Sequence, residues 1–312
     1  MDVDPGVDDS LALLLALRSP ELCLIGVTTV FGNHTIATTT RNALDVLALG
    51  GRPNIPVAVG AAGPLAGEYA APRAVVHGDN GLGGASLPPS ATTPLGIDAA
   101  DFIIEMASVQ PGLTLVATAA LTNLAHALER EPRLTDWVTD VVLMGGAYSV
   151  PGNITPHAEA NIYHDPEAAA SVFDAAWRVT AVGLDVTLTA TLDDNHVASF
   201  GRLGTPVGDF AAAALPFYQR FYRERYGRLS VPIHDAVALA HVIDPTLLTL
   251  RPALVTVDTG HGAMRGQTRT EFVDRRGRET KGRETLPLQD AALVAAAVDA
   301  TRFRDLLLTR VR

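Results

Sequence analysis

Short apolar runs alternate with longer helical stretches along most of the chain. Asp9–Leu17 is apolar nearly all round, which predicts a buried helix. Leu24–Phe31 is rich in β-branched residues and predicts a strand. Thr35–Leu49 predicts a helix, and Ile55–Val59 the strand after it. Further on, Leu113–Ala117 predicts a strand, Thr122–Arg130 a helix, and Asp140–Met144 a strand ending in Gly145-Gly146. Pro166–Asp174 then predicts a helix and Arg178–Leu184 another strand. This alternation predicts an α/β fold: a mostly parallel central sheet, helices on both faces, in a Rossmann-like open arrangement.

Three regions depart from the alternation. Gly60–Leu95 is rich in Gly, Pro and Ala and predicts a long loop, a feature more often functional than idle. Residues 251–285 hold short strand-like pieces (Leu254–Val257, Thr270–Val273) among Gly and charged residues, which predicts a peripheral hairpin. Leu288–Leu308 predicts a closing helix. Without repeats or a low-complexity linker, residues 1–312 read as one domain.

Composition narrows the class. Apolar residues make up 47% and charged residues 19%, as in a packed globular enzyme. The 24 basic and 34 acidic side chains leave a net charge of −10, which argues against a nucleic-acid-binding surface but admits small neutral substrates. Cys23 is the one cysteine, so no intrachain disulfide forms, in keeping with a reducing cytoplasm. Its place in the apolar run Leu22–Val27 predicts a small buried core residue. The first residues are acidic, unlike a signal peptide. No apolar run approaches the roughly 20 residues of a membrane helix. The expectation is a cytoplasmic protein with no membrane partner.

Candidate chemistry concentrates where open α/β sheets bind ligands, just after the strands. The segment from Asp2 to Asp9 places four carboxylates in eight residues and then enters the apolar helix. Pro5 holds Asp4 extended. Gly6 permits a sharp, left-handed turn, and Asp8 and Asp9 fall in the first helical turn. Like charges so close repel unless a cation or hydrogen bonds compensate. Hard oxygen donors suit calcium or magnesium rather than zinc. Helix capping accounts for one or two of these residues, not for Asp2 and Asp4. Downstream, Phe217–Tyr226 is unusually aromatic and charged; at helical spacing Tyr218, Tyr222 and Tyr226 fit either a base pocket or a stripe packed on the body. His77 lies in the long loop, placed to approach a ligand.

The run Asp-Val-Asp-Pro-Gly-Val-Asp-Asp resembles the signature of the inosine–uridine-preferring nucleoside hydrolase family. The resemblance continues in order through Thr28–Asn33, His77–Gly83, Leu121–Ala125, Val142–Gly146, Glu159-Ala160-Asn161, Asp165–Ala169 and His234-Asp235. It implies the nucleoside hydrolase fold and calcium-dependent cleavage of the bond between ribose and nucleobase, within nucleoside salvage. It implies calcium held by Asp4, Asp9, Asp235 and the backbone carbonyl of Thr118. Asp4 is similar to the family's general base, which activates a calcium-bound water. Asp8, Asn33, Asn153, Glu159 and Asn161 match sugar-holding residues, and His234 matches the histidine beside the base. A homodimer or homotetramer is implied too. Family members usually carry several apolar residues ahead of the signature; here Met1 alone precedes Asp2, leaving about two residues for a first strand against a usual 5–6. Two other readings remain at this point. One is a calcium-dependent nucleoside or sugar binder without turnover. The other is a haloacid-dehalogenase-type phosphatase, suggested by Asp2-Val3-Asp4 but lacking the downstream lysine and acidic pair.

Overall fold

The computed structural model describes residues 1–69, 75–273 and 291–312. The chain begins with β1 (Asp2–Val3), α1 (Val7–Leu17), β2 (Val27–Thr29), α2 (Ile36–Leu49) and β3 (Val57–Val59). It continues with α3 (Ala99–Val109), β4 (Leu113–Ala117), α4 (Thr122–Arg130), α5 (Leu134–Trp137) and β5 (Val138–Met144). Next come α6 (Ala160–His164), α7 (Pro166–Asp174), β6 (Arg178–Val182), α8 (Leu184–Thr187), β7 (Thr191–Leu192), α9 (Asp194–Phe200) and α10 (Pro206–Tyr226). The last elements are β8 (Val231–Pro232), α11 (His234–Ile243), β9 (Leu248–Val257), β10 (Thr268–Phe272), β11 (Ala292–Val298) and α12 (Ala300–Arg310).

The sheet runs β10-β9-β11-β6-β5-β4-β1-β2-β3. From β3 to β11 every pairing is parallel; β9 and β10 add an antiparallel edge. Order 3-2-1-4-5-6 is that of a doubly wound sheet, and its switch point lies between β1 and β4. Central strands are buried on both faces, which is why they read as continuous apolar runs. In β5, Val142 and Met144 pack with α1, α2, α10 and α11 on one face. Val141 and Leu143 pack with α3, α4 and α7 on the other.

Two expectations are corrected. The stretch read as a closing helix is a strand followed by a helix: Ala292–Val298 forms β11 and Asp299 then caps α12. Alanine favours a helix, but β11 is held by β6 and β9 on either side, and a short apolar run carries no period to tell the two apart. Residues 288–290 of that stretch lie outside the described residues, as do 274–285 of the hairpin. The hairpin itself is β9 with β10, and β9 also joins β11. Cys23 is exposed rather than core, because the run leading into β2 is only partly covered. Within Gly60–Leu95, the described residues form no helix and no strand.

Candidate active site

The acidic segment turns from β1 into α1 at the switch point. Pro5 is held from outside by the Asn42 amide, which donates to its carbonyl at 3.0 Å. Gly6 is not left-handed: φ is −89° and ψ −159°, an extended conformation. What the position requires is space. A Cβ there would lie 2.6 Å from His77 Nδ1 and 2.9 Å from Asn33 Nδ2. Gly32, after β2, is doubly constrained: φ is +154°, and a Cβ would lie 2.0 Å from Asp4 Oδ2.

The four acidic residues of the segment have separate fates. Asp2 stays under the sheet, where Oδ1 accepts from Thr28 Oγ1 at 2.6 Å and Asn123 Nδ2 at 2.8 Å. Asp4 is fully buried and accepts the Asn33 backbone N–H at 2.6 Å. The Asn33 amide bridges, donating to Asp4 Oδ1 and Asp9 Oδ2, each at 3.1 Å. Asp9 also accepts from Gly6 N at 3.1 Å and from the Thr118 hydroxyl at 2.9 Å. Asp8 and Asp9 then converge with Asp235, from the start of α11, with one oxygen of each within 4.8 Å of the others.

The convergent trio is thus Asp8, Asp9 and Asp235, whereas the sequence reading grouped Asp4, Asp9 and Asp235 and gave Asp8 to the sugar. Asp4 adjoins the trio through Asn33. The Thr118 carbonyl, at the end of β4, accepts the Asn161 amide at 3.0 Å. All four carboxyls titrate high. Burial is the main cause for each, pushing Asp8 to about 7 and Asp4 well up. Asp9 and Asp235 are raised by burial as well, and the neighbouring carboxylates add to it at Asp4, Asp8 and Asp235. An all-oxygen donor set whose charges repel in a buried site fits a hard divalent cation.

Above the trio lies a cavity of about 130 Å³. Asp8, Asn33, His77, Asn153, Glu159, Asn161, Tyr222 and Tyr226 all line it, together with Thr118, His234 and Asp235. Most of these polar groups are also tied to backbone. Glu159 caps α6, accepting from Asn161 N at 3.0 Å and Ile162 N at 3.2 Å, and it also accepts from Gly146 N at 3.0 Å. Asn161 Nδ2 donates to the carbonyls of Thr118 and Met144. Asn153, on the exposed rim, accepts from Ala160 N at 2.9 Å. His77 Nδ1 accepts the first N–H of α1, from Val7, at 3.1 Å, so its proton sits on Nε2. Its ring stacks on Tyr218 at 5.2 Å.

His234 is buried in a polar chain, with Nε2 2.7 Å from the Tyr222 hydroxyl and Nδ1 2.7 Å from Thr187 Oγ1. Burial pulls its pKa down to about 3, so the ring is neutral at pH 7. The sequence reading missed Phe221 and His164, which also line the cavity. His164 lies one turn beyond Asn161 on α6, a spacing that could have marked it.

This geometry first defines a class: an α/β protein that gathers buried carboxylates able to hold a cation, together with side-chain amides, around one small cavity at the switch point. Comparison narrows the class. Residues 1–305 match the inosine-uridine preferring nucleoside hydrolase family, and the chain belongs to it. It is 39% identical to uridine nucleosidase 1 of Arabidopsis thaliana over 83% of this chain and 77% of that one. The fold superposes on a plant nucleoside hydrolase, PpNRh1, with a TM-score of 0.93 and 35% identity, covering 99% and 97% of the two chains. A purine-preferring ribonucleoside hydrolase from Gardnerella vaginalis gives 0.91 and 36%, covering 99% and 96%. The chain is accordingly an N-ribosyl hydrolase of ribonucleosides, which sets aside the phosphatase and the binder without turnover. Among the described residues, no helix is long and apolar enough to cross a membrane.

Proposed function

We propose that the protein hydrolyses ribonucleosides to ribose and free nucleobase with calcium as its cation, Asp4 serving as general base. The observation that carries this reading is the buried convergence of Asp8, Asp9 and Asp235 beneath an amide- and tyrosine-lined cavity. Asp4, Asp9, Asp235 and the Thr118 carbonyl would hold the ion. When bound, calcium lowers the pKa of water and offsets the mutual repulsion of the carboxylates.

The remaining steps belong to side chains. Asp4, fixed by Asn33, takes a proton from the attacking water. The oxygen of that water bonds to the anomeric carbon, the bond to the base nitrogen breaks, and its electron pair leaves with the base. Positive charge building on the sugar is stabilised by the flanking carboxylates. Attack opposite the departing base inverts the anomeric centre. Asp8, Asn153, Glu159 and Asn161 hold the sugar hydroxyls. His234, neutral, donates its Nε2 proton as a hydrogen bond to the Tyr222 oxygen, which leaves the Tyr222 hydroxyl hydrogen free to donate a hydrogen bond to the departing base nitrogen; the proton the base finally takes comes from solvent.

The base preference is open to both classes, since similar relatives carry names for uridine and for purines at nearly equal identity. The test is reducing-sugar release from inosine and uridine. Release that stops on cation removal, and returns with calcium but not magnesium, supports the proposal. Release that persists in cation-stripped protein overturns it.

A further inference from the structure

Two tyrosines outside the cavity stand in the same relation to two carboxylates inside the site. After β2, the Tyr69 hydroxyl donates to the Gly32 carbonyl at 2.9 Å, and the N–H of the same peptide unit, on Asn33, donates to Asp4 Oδ2 at 2.6 Å. After β5, the Tyr148 hydroxyl donates to the Gly145 carbonyl at 3.0 Å, and the N–H of that peptide unit, on Gly146, donates to Glu159 Oε2 at 3.0 Å. Asp4 and Glu159 are both buried, and neither Tyr69 nor Tyr148 lines the cavity above the trio.

Each arrangement is built around glycine. A Cβ on Gly32 would lie 2.0 Å from Asp4 Oδ2, and one on Gly146 would lie 2.6 Å from the Tyr148 ring and hydroxyl. Gly183, just after β6, leaves the same room: a Cβ there would lie 2.6 Å from that ring. Both tyrosines are anchored elsewhere as well. The Tyr69 ring packs edge-on against Phe31, centroids 4.6 Å apart, and its hydroxyl also reaches the His34 carbonyl at 3.1 Å. The Tyr148 backbone N–H donates to Asp185 Oδ2 at 2.8 Å.

A peptide unit is planar and conjugated, so its two ends cannot be oriented separately. Fixing the carbonyl fixes the direction of the N–H. A hydrogen bond at the oxygen also polarises the unit and makes the N–H a stronger donor. We propose that Tyr69 and Tyr148 are positioning residues, Tyr69 for Asp4 and Tyr148 for Glu159, each acting through one glycine peptide; their effect on the reaction rests on the reading of Asp4 as base and Glu159 as sugar ligand. Without the Tyr69 hydroxyl, Asp4 is held less firmly toward the attacking water and turnover slows. Without the Tyr148 hydroxyl, Glu159 holds the sugar less firmly and binding weakens.

Ribose release, from whichever of inosine and uridine is turned over faster, is measured for Tyr69→Phe, Tyr148→Phe, Asp4→Ala, Glu159→Ala and the tyrosine–carboxylate double variants. Both phenylalanines keep the ring contacts. Each alone is expected to lower kcat/KM about threefold to tenfold, Tyr69→Phe through kcat and Tyr148→Phe through KM. Tyr69→Phe is expected to lose nothing further in Asp4→Ala and its full factor in Glu159→Ala; Tyr148→Phe is expected to do the reverse. A tyrosine that merely supports the fold keeps its factor in every background. That result overturns the proposal, as does full activity in both single phenylalanine variants. Glu159 also caps α6, so Glu159→Gln, which keeps an acceptor there and removes the charge, takes its place if Glu159→Ala does not unfold cooperatively. Full kcat in Asp4→Ala alone would remove the base assignment and the Tyr69 half with it, while the Tyr148 pair is decided on its own.

Discussion

Asp4 carries the sharpest prediction at the scale of a single residue. Its two oxygens accept from the Asn33 backbone N–H and side-chain amide, so Asp4→Asn keeps the volume of the side chain but removes the basic oxygen and sets its new NH2 against one of those two donors. A general base contributes on the order of 10²–10⁴ in rate. We expect kcat to fall by about that factor, while calorimetry still detects calcium binding; a kcat within about tenfold of the parent refutes the assignment. Gly32→Ala probes the same oxygen from outside. The new methyl meets Asp4 Oδ2 at 2.0 Å from a backbone suited to glycine. Activity should fall as steeply as in the Asp4 variant, and denaturant unfolding should show a loss of about 1–3 kcal/mol. At this scale the sequence was informative about residue identity and silent about partnership. The acidic run marked the site because repelling charges need a reason to be adjacent. That Asn33 bridges Asp4 and Asp9, and that Asp2 instead ties to Thr28 and Asn123, depends on contacts between residues up to 121 positions apart.

Elements with a clear period were legible, and those defined by their neighbours were not. β4, α4 and α7 fall where the pattern put them, and α7 is marked in the sequence by its capping Asp165, which accepts from Ala168 N, and by Pro166 at its first position. β11 was read as helix because only its pairing with β6 and β9 makes it a strand. α11 escaped notice: it is apolar nearly all round after His234-Asp235, and it is buried for most of its length. α10 resolves the ambiguity of the tyrosine stripe in both directions at once. Tyr218 and Tyr222 are buried packing residues, and both, with Tyr226, line the cavity. Tyr222 is the link that matters, since its hydroxyl meets His234. Tyr222→Phe keeps the edge-on contact with Tyr218 and deletes the hydroxyl. We expect kcat to drop about tenfold to a hundredfold, with KM nearly unchanged. A raised KM at constant kcat would instead assign the hydroxyl to substrate binding.

For the whole molecule, the consequence of placing the acidic cluster at a buried switch point is a dependence of stability on pH that the cation reverses. Asp8 titrates at about 7 in the fold against an ordinary value of 3.8, and Asp4 and Asp235 are raised well above it. The histidines work in the other direction at lower pH: burial brings His77 and His234 to about 3 and His164 to about 4, from 6.5. Below pH 6.5 the unfolded chain therefore binds protons that these rings refuse, and the two effects oppose each other. Above pH 6.5 the rings are neutral in both states; the Met1 amino group, lowered by burial from 8.0 to about 6, opposes the carboxyls there, but it is one group against the raised Asp4, Asp8 and Asp235. The cation-free fold then holds protons that the unfolded chain has lost, so stability falls as pH rises. A divalent ion binds the deprotonated carboxylates of the fold, so its stabilisation grows over the same interval. We expect the Tm of cation-stripped protein to decline from pH 6.5 to 8, and the gap between calcium-loaded and stripped protein to widen across it. A gap that stays constant or narrows would mean that the ion does not replace protons on these carboxyls, and the cluster would have to be read as a proton-sharing network instead.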